Sequence, residues 1–357
     1  LLYLFVALAS ILVAYVPIYS GFGIFKILRA MAVYWVAYNI LRNEDDLRFF
    51  LLILAAIVAF EFSQVLLQRA QGIYRAQGTT PHSNTLAVYI NMMNMIFFSF
   101  ILNDKRRDWQ RWVYWAAFGM GSMIVLATFS RGALAVMVVC YALVIGLSWL
   151  DRPRKQKFKV VGILVLAALP VVIKVTPAII ERFEKAPEAA GESREQANRA
   201  ATAMAGESLL GVGLNNYSHA INNTAYSRFI PKEIDRGIVH NIYLLHAAEM
   251  GWIGLMVFVL MIGNFLWMAL RIVLQRRDDI VSWVAIGIFA AMSALWLQSS
   301  LEWLFRQTYI TVEFFMLAGF LAALPRVAGN IKRSQQVRQA QQNYWAWHHY
   351  RTRIGLR

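Results

Sequence analysis

Residues 112–150 form one nearly unbroken apolar run, and its length constrains the fold more than any other feature of the chain. As a single helix rising ~1.5 Å per residue it would reach ~58 Å, about twice the hydrocarbon thickness of a bilayer. It must fold back near its middle, where Ser130-Arg131-Gly132 is the only strongly polar break. Gly132 also permits a tight turn at that point.

The same length argument divides the rest of the chain. Spans are expected at about 1–19, 23–41, 47–67, 85–102, 112–129, 132–150, 160–177, 241–270, 280–299 and 309–324, each set against the ~20 apolar residues a crossing needs. The chain is 59% hydrophobic and 15% charged, whereas a soluble domain is nearer one quarter charged. The expected fold is all-α: a polytopic helical membrane protein of about ten spans. Its parts are residues 1–177 with spans one to seven, a large loop at 178–240, residues 241–324 with the last three spans, and a basic tail at 325–357. Cys140 stands alone in an apolar run, which excludes a disulfide framework and a cysteine-based metal site.

The formal charge of +15 suggests nucleic acid at first sight. Lys and Arg clustered beside membrane spans set topology instead, so no nucleic-acid partner is expected. The clusters are Lys105, Arg106, Arg107 and Arg111; Arg152, Arg154, Lys155, Lys157 and Lys159; Arg271, Arg276 and Arg277; and, in the tail, Arg326, Lys332, Arg333, Arg338, Arg351, Arg353 and Arg357. Alternating the spans puts all four on one side, which the positive-inside rule makes cytoplasmic. The outer face then receives the loop at 68–84, the Arg131 turn, the 178–240 segment and the loop from Ser300 to Thr308.

The 178–240 segment is nearly charge-balanced, with Glu233, Asp235, Lys185, Lys232 and Arg236 among its charges. It reads as a folded, partly helical element. Ser193 and Gln196 fit a capping box, which predicts a helix near 194–205 that stops at Gly206. Arg194 and Arg199 are five residues apart, so that helix points them ~140° away from each other, one toward a site and one toward water. The tail, with Tyr344, Trp345 and Trp347, reads as a membrane-surface or partly disordered segment.

Several polar residues on the outer face can carry chemistry. Arg131 is either a snorkelling boundary marker or a binding cation, and a guanidinium suits a diphosphate better than an ammonium does. His240 opens the stretch Val239-His240-Asn241, where the polar loop meets the eighth span. It is either a cap or interfacial anchor, or a base able to accept a proton at physiological pH. His246 and Glu249 share a helix face one turn deeper and read as a buried structural pair. The loop from Arg75 through His82 to Asn84 offers Arg75 as a phosphate ligand or a solvated charge, and Asn84 as a helix N-cap. Glu302 and Arg306, one turn apart, can pair with each other. Glu61 reads as an intramembrane polar contact. The outer loops show no metal-ligand spacing, and no cofactor is implied.

Taken together, these motifs resemble the bacterial O-antigen ligase family. The likeness lies in Gly78-Thr79 with His82-Ser83-Asn84-Thr85-Leu86-Ala87, in Ser130-Arg131-Gly132, in Gly211-Val212-Gly213-Leu214 with Tyr217, and in Val239-His240-Asn241 with Glu249-Met250-Gly251. O-antigen polymerases and protein O-oligosaccharyltransferases share much of this pattern. The resemblance implies a multi-spanning, C-type, metal-independent and inverting glycosyltransferase of the bacterial inner membrane, with its active site facing the periplasm. The donor would be a glycan on undecaprenyl diphosphate and the acceptor a sugar hydroxyl of lipid A–core, both met among membrane lipids. His240 would be the catalytic base. Arg131 and Arg194 would hold the diphosphate, with Arg75 a third ligand, and Asn241, Arg199, His82 and Tyr217 are supporting candidates. Arg199 is the alternative to Arg194 as the family's loop-helix arginine. Family members often have twelve spans, so an earlier start than Leu1, or a shorter member, is expected. A transporter of lipid-linked glycans is the reading outside the enzyme class, weakened by the lack of a visible inverted repeat.

Overall fold

The computed structural model describes residues 1–184, 188–231 and 237–353. Lys185, Lys232, Glu233, Asp235, Arg236 and Arg357, weighed above, lie outside them. The described residues are helical, with no strand. In chain order the helices are α1 (Leu2–Ala9), α2 (Pro17–Ile40), α3 (Glu44–Ala70), α4 (Ser83–Asn103), α5 (Trp109–Ala127), α6 (Arg131–Asp151), α7 (Lys155–Glu184), α8 (Glu188–Glu207), α9 (Tyr217–Asn223), α10 (Ile242–Val273), α11 (Ile280–Ser299) and α12 (Thr308–Arg353). Seven of them, α2, α3, α4, α6, α10, α11 and α12, are long and apolar enough to cross a membrane.

The span expected at 1–19 is not one helix. α1 passes into a 3-10 turn at Ser10–Val13, and α2 starts with Pro17 in its first turn. Val16, just before the proline, is extended (φ −130°, ψ 94°), as the ring of Pro17 demands. α5 and α7 occupy the places expected for the fifth and seventh spans but are not among the seven. The tail is helical through Arg353 in spite of Pro325, within one helix rich in Gln, Arg and Ala beyond the proline.

α4 and α11 form the middle of the bundle. Both are buried on nearly every side, as befits helices apolar all round. Sparse polar contacts pin the helices around them. The Asn94 amide on α4 donates to Ser122 Oγ on α5 (3.0 Å) and to Tyr141 on α6 (2.8 Å). Asn103 donates to Ser148 Oγ on α6 at 2.8 Å.

The basic clusters gather at one end of the bundle. Asp278 receives Lys105 (3.4 Å), Arg152 (3.7 Å) and Arg154. Arg48 joins Glu44 (2.7 Å) and Asp104 (3.2 Å), and Arg326 donates to the Leu41 carbonyl (3.0 Å). The loops assigned above to the opposite face meet one another at the other end.

Candidate functional site

The fold-back at Arg131 is present as expected, with α5 ending at Ala127 and α6 starting at Arg131. Its turn is made by Phe129, at φ 49°, rather than by Gly132. The Phe129 ring stacks on Tyr74 with centroids 4.7 Å apart, which holds a conformation that a bulky residue rarely adopts. Gly132 lies inside α6, where an added Cβ would stand 3.3 Å from Leu301 Cδ1. Arg131 is thereby left partly exposed in the first turn of α6.

The Arg75–Asn84 loop is tied down from α3. Gln68 Oε1 accepts the N–H groups of Gln77 and Gly78, both at 2.9 Å. Glu61, buried in α3, accepts the Thr79 N–H at 3.0 Å and the Thr79 hydroxyl. Gly78 has φ 56°, and a Cβ there would collide with the Glu61 carboxylate. The Gly-Thr pair of this loop therefore fits over the carboxylate of α3. Arg75 donates to the Thr128 carbonyl (3.2 Å) and to Asn84 Oδ1 (2.9 Å). Asn84 is not the N-cap of α4, a place taken by His82. Its amide instead relays Arg75 to Glu302, donating to Oε1 at 2.6 Å.

Glu302 is the meeting point. Its side chain is 12% exposed, its Oε1 lies 3.7 Å from an Arg194 nitrogen, and its Oε2 lies 2.9 Å from His240 Nδ1. It does not pair with Arg306, because the long-range partners outcompete the neighbour one turn away. A carboxylate oxygen accepts, so His240 Nδ1 is the donor in this contact and Nε2 is the nitrogen turned away from Glu302. Among the described residues Nε2 makes no hydrogen bond, and the side chain is 45% exposed. Asn241, beside it, caps α10 by accepting the N–H groups of Tyr243 (3.0 Å) and Leu244 (3.1 Å), which frees His240 from that task.

A cavity of about 330 Å³ adjoins this carboxylate. Arg75, Arg131 and Arg194 line it with Asn84, Ser130 and Glu302. His240 is not in the lining but meets it through Glu302. Among the described lining residues three guanidinium groups and one carboxylate meet, and guanidinium groups suit an anion with several oxygens.

The remaining candidates are placed elsewhere. α8 starts at Glu188, so Ser193 lies within the helix rather than capping it. Its face division is as expected: Arg194 turns to Glu302, and Arg199 pairs in solvent with Glu195 at 2.6 Å. His82 is exposed and makes no side-chain cap bond. Tyr217 is fully buried, and its hydroxyl donates to the Ala197 carbonyl at 3.3 Å. His246 does not pair with Glu249. Its ring stacks on Phe258, Nε2 accepts from the Tyr3 hydroxyl (2.9 Å), and Nδ1 donates to the Ile242 carbonyl (2.9 Å).

Glu249 and Gly251 have a scaffolding role. Glu249 accepts the Tyr217 N–H (3.2 Å) and pairs with Arg306, which also holds Asn215. α10 kinks at Gly251, φ 68°, and the Gly211 turn, φ 68°, docks into the kink. The Val212 N–H donates to the Ala248 carbonyl at 2.9 Å. A Cβ on Gly211 would strike Ala248 and one on Gly251 would strike Leu209. The two glycine motifs are halves of one joint, which seats the loop carrying Arg194 on the helix that follows His240.

A multi-spanning helical bundle with an arginine-lined cavity beside a His–Glu pair defines the class: a polytopic helical membrane protein with a cationic cavity at one end of its helices. Residues 115–259 match the family model of O-Antigen ligase, so this stretch of the chain is similar to that family. The match takes in Arg131, Arg194 and His240, while Arg75, Asn84 and Glu302 lie beyond it. No curated protein matches the chain.

Proposed function

We propose that the protein transfers a glycan from undecaprenyl diphosphate to a sugar hydroxyl of lipid A–core at the periplasmic face of the bacterial inner membrane. The observation that carries this reading is the convergence of His240, Arg194 and, through Asn84, Arg75 on the single carboxylate of Glu302. The donor diphosphate occupies the cavity of Arg75, Arg131 and Arg194. The acceptor approaches from the His240 side.

In the step itself the acceptor oxygen attacks the anomeric carbon as the bond from that carbon to the diphosphate oxygen breaks. His240 Nε2 takes the hydroxyl proton, and Glu302 steadies the imidazolium that forms. A positioned base of this kind contributes roughly 10²–10⁴-fold. The diphosphate leaves without protonation because the arginines meet the charge that builds on it. Attack from the face opposite the leaving group inverts the anomeric centre. The exposed end of the bundle where these residues meet is the periplasmic one because the basic clusters occupy the other.

The test is reconstitution of the full chain with labelled undecaprenyl-diphosphate glycan and lipid A–core. Label moving to lipid A–core supports the reading. Label that forms a ladder on the donor glycan, or that moves only to a Ser- or Thr-containing peptide, overturns the acceptor assignment.

A further inference from the structure

A second cationic cavity lies between α2 and the start of α12. It measures about 60 Å³, and its lining includes Lys26, Arg29, Glu249, Arg306, Thr308 and Thr311. It shares no lining residue with the arginine cavity described above. The connection from α11 to α12 stands between the two, giving Leu301 and Glu302 to one and Phe305 and Arg306 to the other.

The charges here do not balance. Glu249 is the one carboxylate in the lining, and it is already engaged by Arg306 and the Tyr217 N–H. Arg29 donates to the Thr308 hydroxyl at 3.2 Å and meets no carboxylate among the described residues. Lys26 makes no hydrogen bond or ion pair among the described residues. Lys26 and Arg29 stand nine and twelve positions into α2, ~14 and ~18 Å along its axis from Pro17. α2 is one of the membrane-length helices. Phe22, Phe25 and Leu28, which flank the two cations, are exposed in the manner of a lipid-facing surface. An ionised side chain on such a surface is costly and marks a ligand path or a partner.

We propose that Lys26 and Arg29, beside the Arg306–Glu249 pair, form a site for the phosphate of an anionic membrane lipid, separate from the arginine cavity. A guanidinium fork and an ammonium together fit phosphate oxygens, and the hydroxyls of Thr308 and Thr311 add polar contacts at the same mouth. The lipid, rather than a free anion, is the occupant because the cations open among exposed apolar side chains. This site depends only on the membrane placement of α2, so it stands or falls independently of the transfer reaction.

The test uses the full chain in neutral detergent, titrated with phosphatidylglycerol or phosphatidylcholine and read by native mass spectrometry. One phosphatidylglycerol should bind preferentially. Its affinity should fall about tenfold or more in Lys26→Gln/Arg29→Gln, the loss expected on removing charge-assisted hydrogen bonds. Arg199→Gln, on the exposed face of α8, should leave it unchanged. Inorganic phosphate in large excess should not displace the lipid. Lys26→Met keeps the apolar stem and serves as the second variant, with melting in phosphatidylcholine alone as the check on folding. Equal phosphatidylglycerol affinity in the wild type and the folded variants overturns the site. Displacement by inorganic phosphate, with no preference for the anionic lipid, overturns its assignment to a lipid.

Discussion

His240 Nδ1 and Glu302 Oε2 stand 2.9 Å apart, joined across 62 residues of sequence at the mouth of an arginine-lined cavity. The carboxylate decides which imidazole nitrogen is free to accept a proton. Glu302→Ala should lower the turnover rate by about 10–100-fold, less than the loss of the base itself, with a smaller change in donor affinity. Steady-state rates and donor binding measured on one preparation check this. An unchanged turnover rate in the folded variant contradicts an orienting role.

Arg194 and Arg199 leave opposite faces of α8, and only Arg194 reaches Glu302. Arg194→Ala should weaken donor binding and slow turnover together, because in the proposed reaction its charge would serve both the bound and the departing diphosphate. Arg199→Ala should stay within about twofold of wild type, since exposed ion pairs contribute at most ~1 kcal/mol. The reverse ranking would assign the diphosphate to the other arginine.

The buried Glu249–Arg306 pair holds the joint between the glycine turn and α10. Arg306→Ala leaves the carboxylate uncompensated, at a cost of about 3–5 kcal/mol. Adding Glu249→Gln to that variant should recover part of the loss. Thermal unfolding in detergent of the two single variants and the double variant gives the comparison, and strictly additive losses would contradict coupling through this pair.

At the opposite end, burial pushes the Asp104 carboxyl up to about 6, although Arg48 lies 3.2 Å away. An unfolded aspartate titrates near ~3.9, so the folded protein holds this proton over a higher range. The stability this group contributes is full below about 4 and is lost as pH rises through about 6. Melting scanned across that interval should fall with pH in the wild type and fall less steeply in Asp104→Asn. Parallel profiles would remove Asp104 as the source.

The bundle was largely legible because hydrophobic length is a local property. The fold-back at Arg131 follows from a run too long for one crossing, and the basic clusters lie together at one end, although seven of the described helices rather than ten are long and apolar enough to span. The opposing faces of Arg194 and Arg199 follow from helical geometry alone. Glu302 was not legible as a hub, because its partners His240 and Asn84 are 62 and 218 residues away. Its spacing from Arg306 instead suggested a local pair. Spacing misled in the same way for His246 and Glu249, which share a face but are claimed by Tyr3 and Arg306 respectively. The capping box at Ser193 yielded to a helix that begins five residues earlier, at Glu188, and runs on through Glu- and Ala-rich sequence.

The most direct measurement is a single-turnover assay of the reconstituted chain, wild type against His240→Ala, with saturating undecaprenyl-diphosphate glycan and lipid A–core. Donor binding is followed in parallel. The expected result is unchanged donor affinity with label transfer slowed by about 10²–10⁴-fold. Transfer at the wild-type rate by a folded His240→Ala protein would contradict the assignment of His240 as the base.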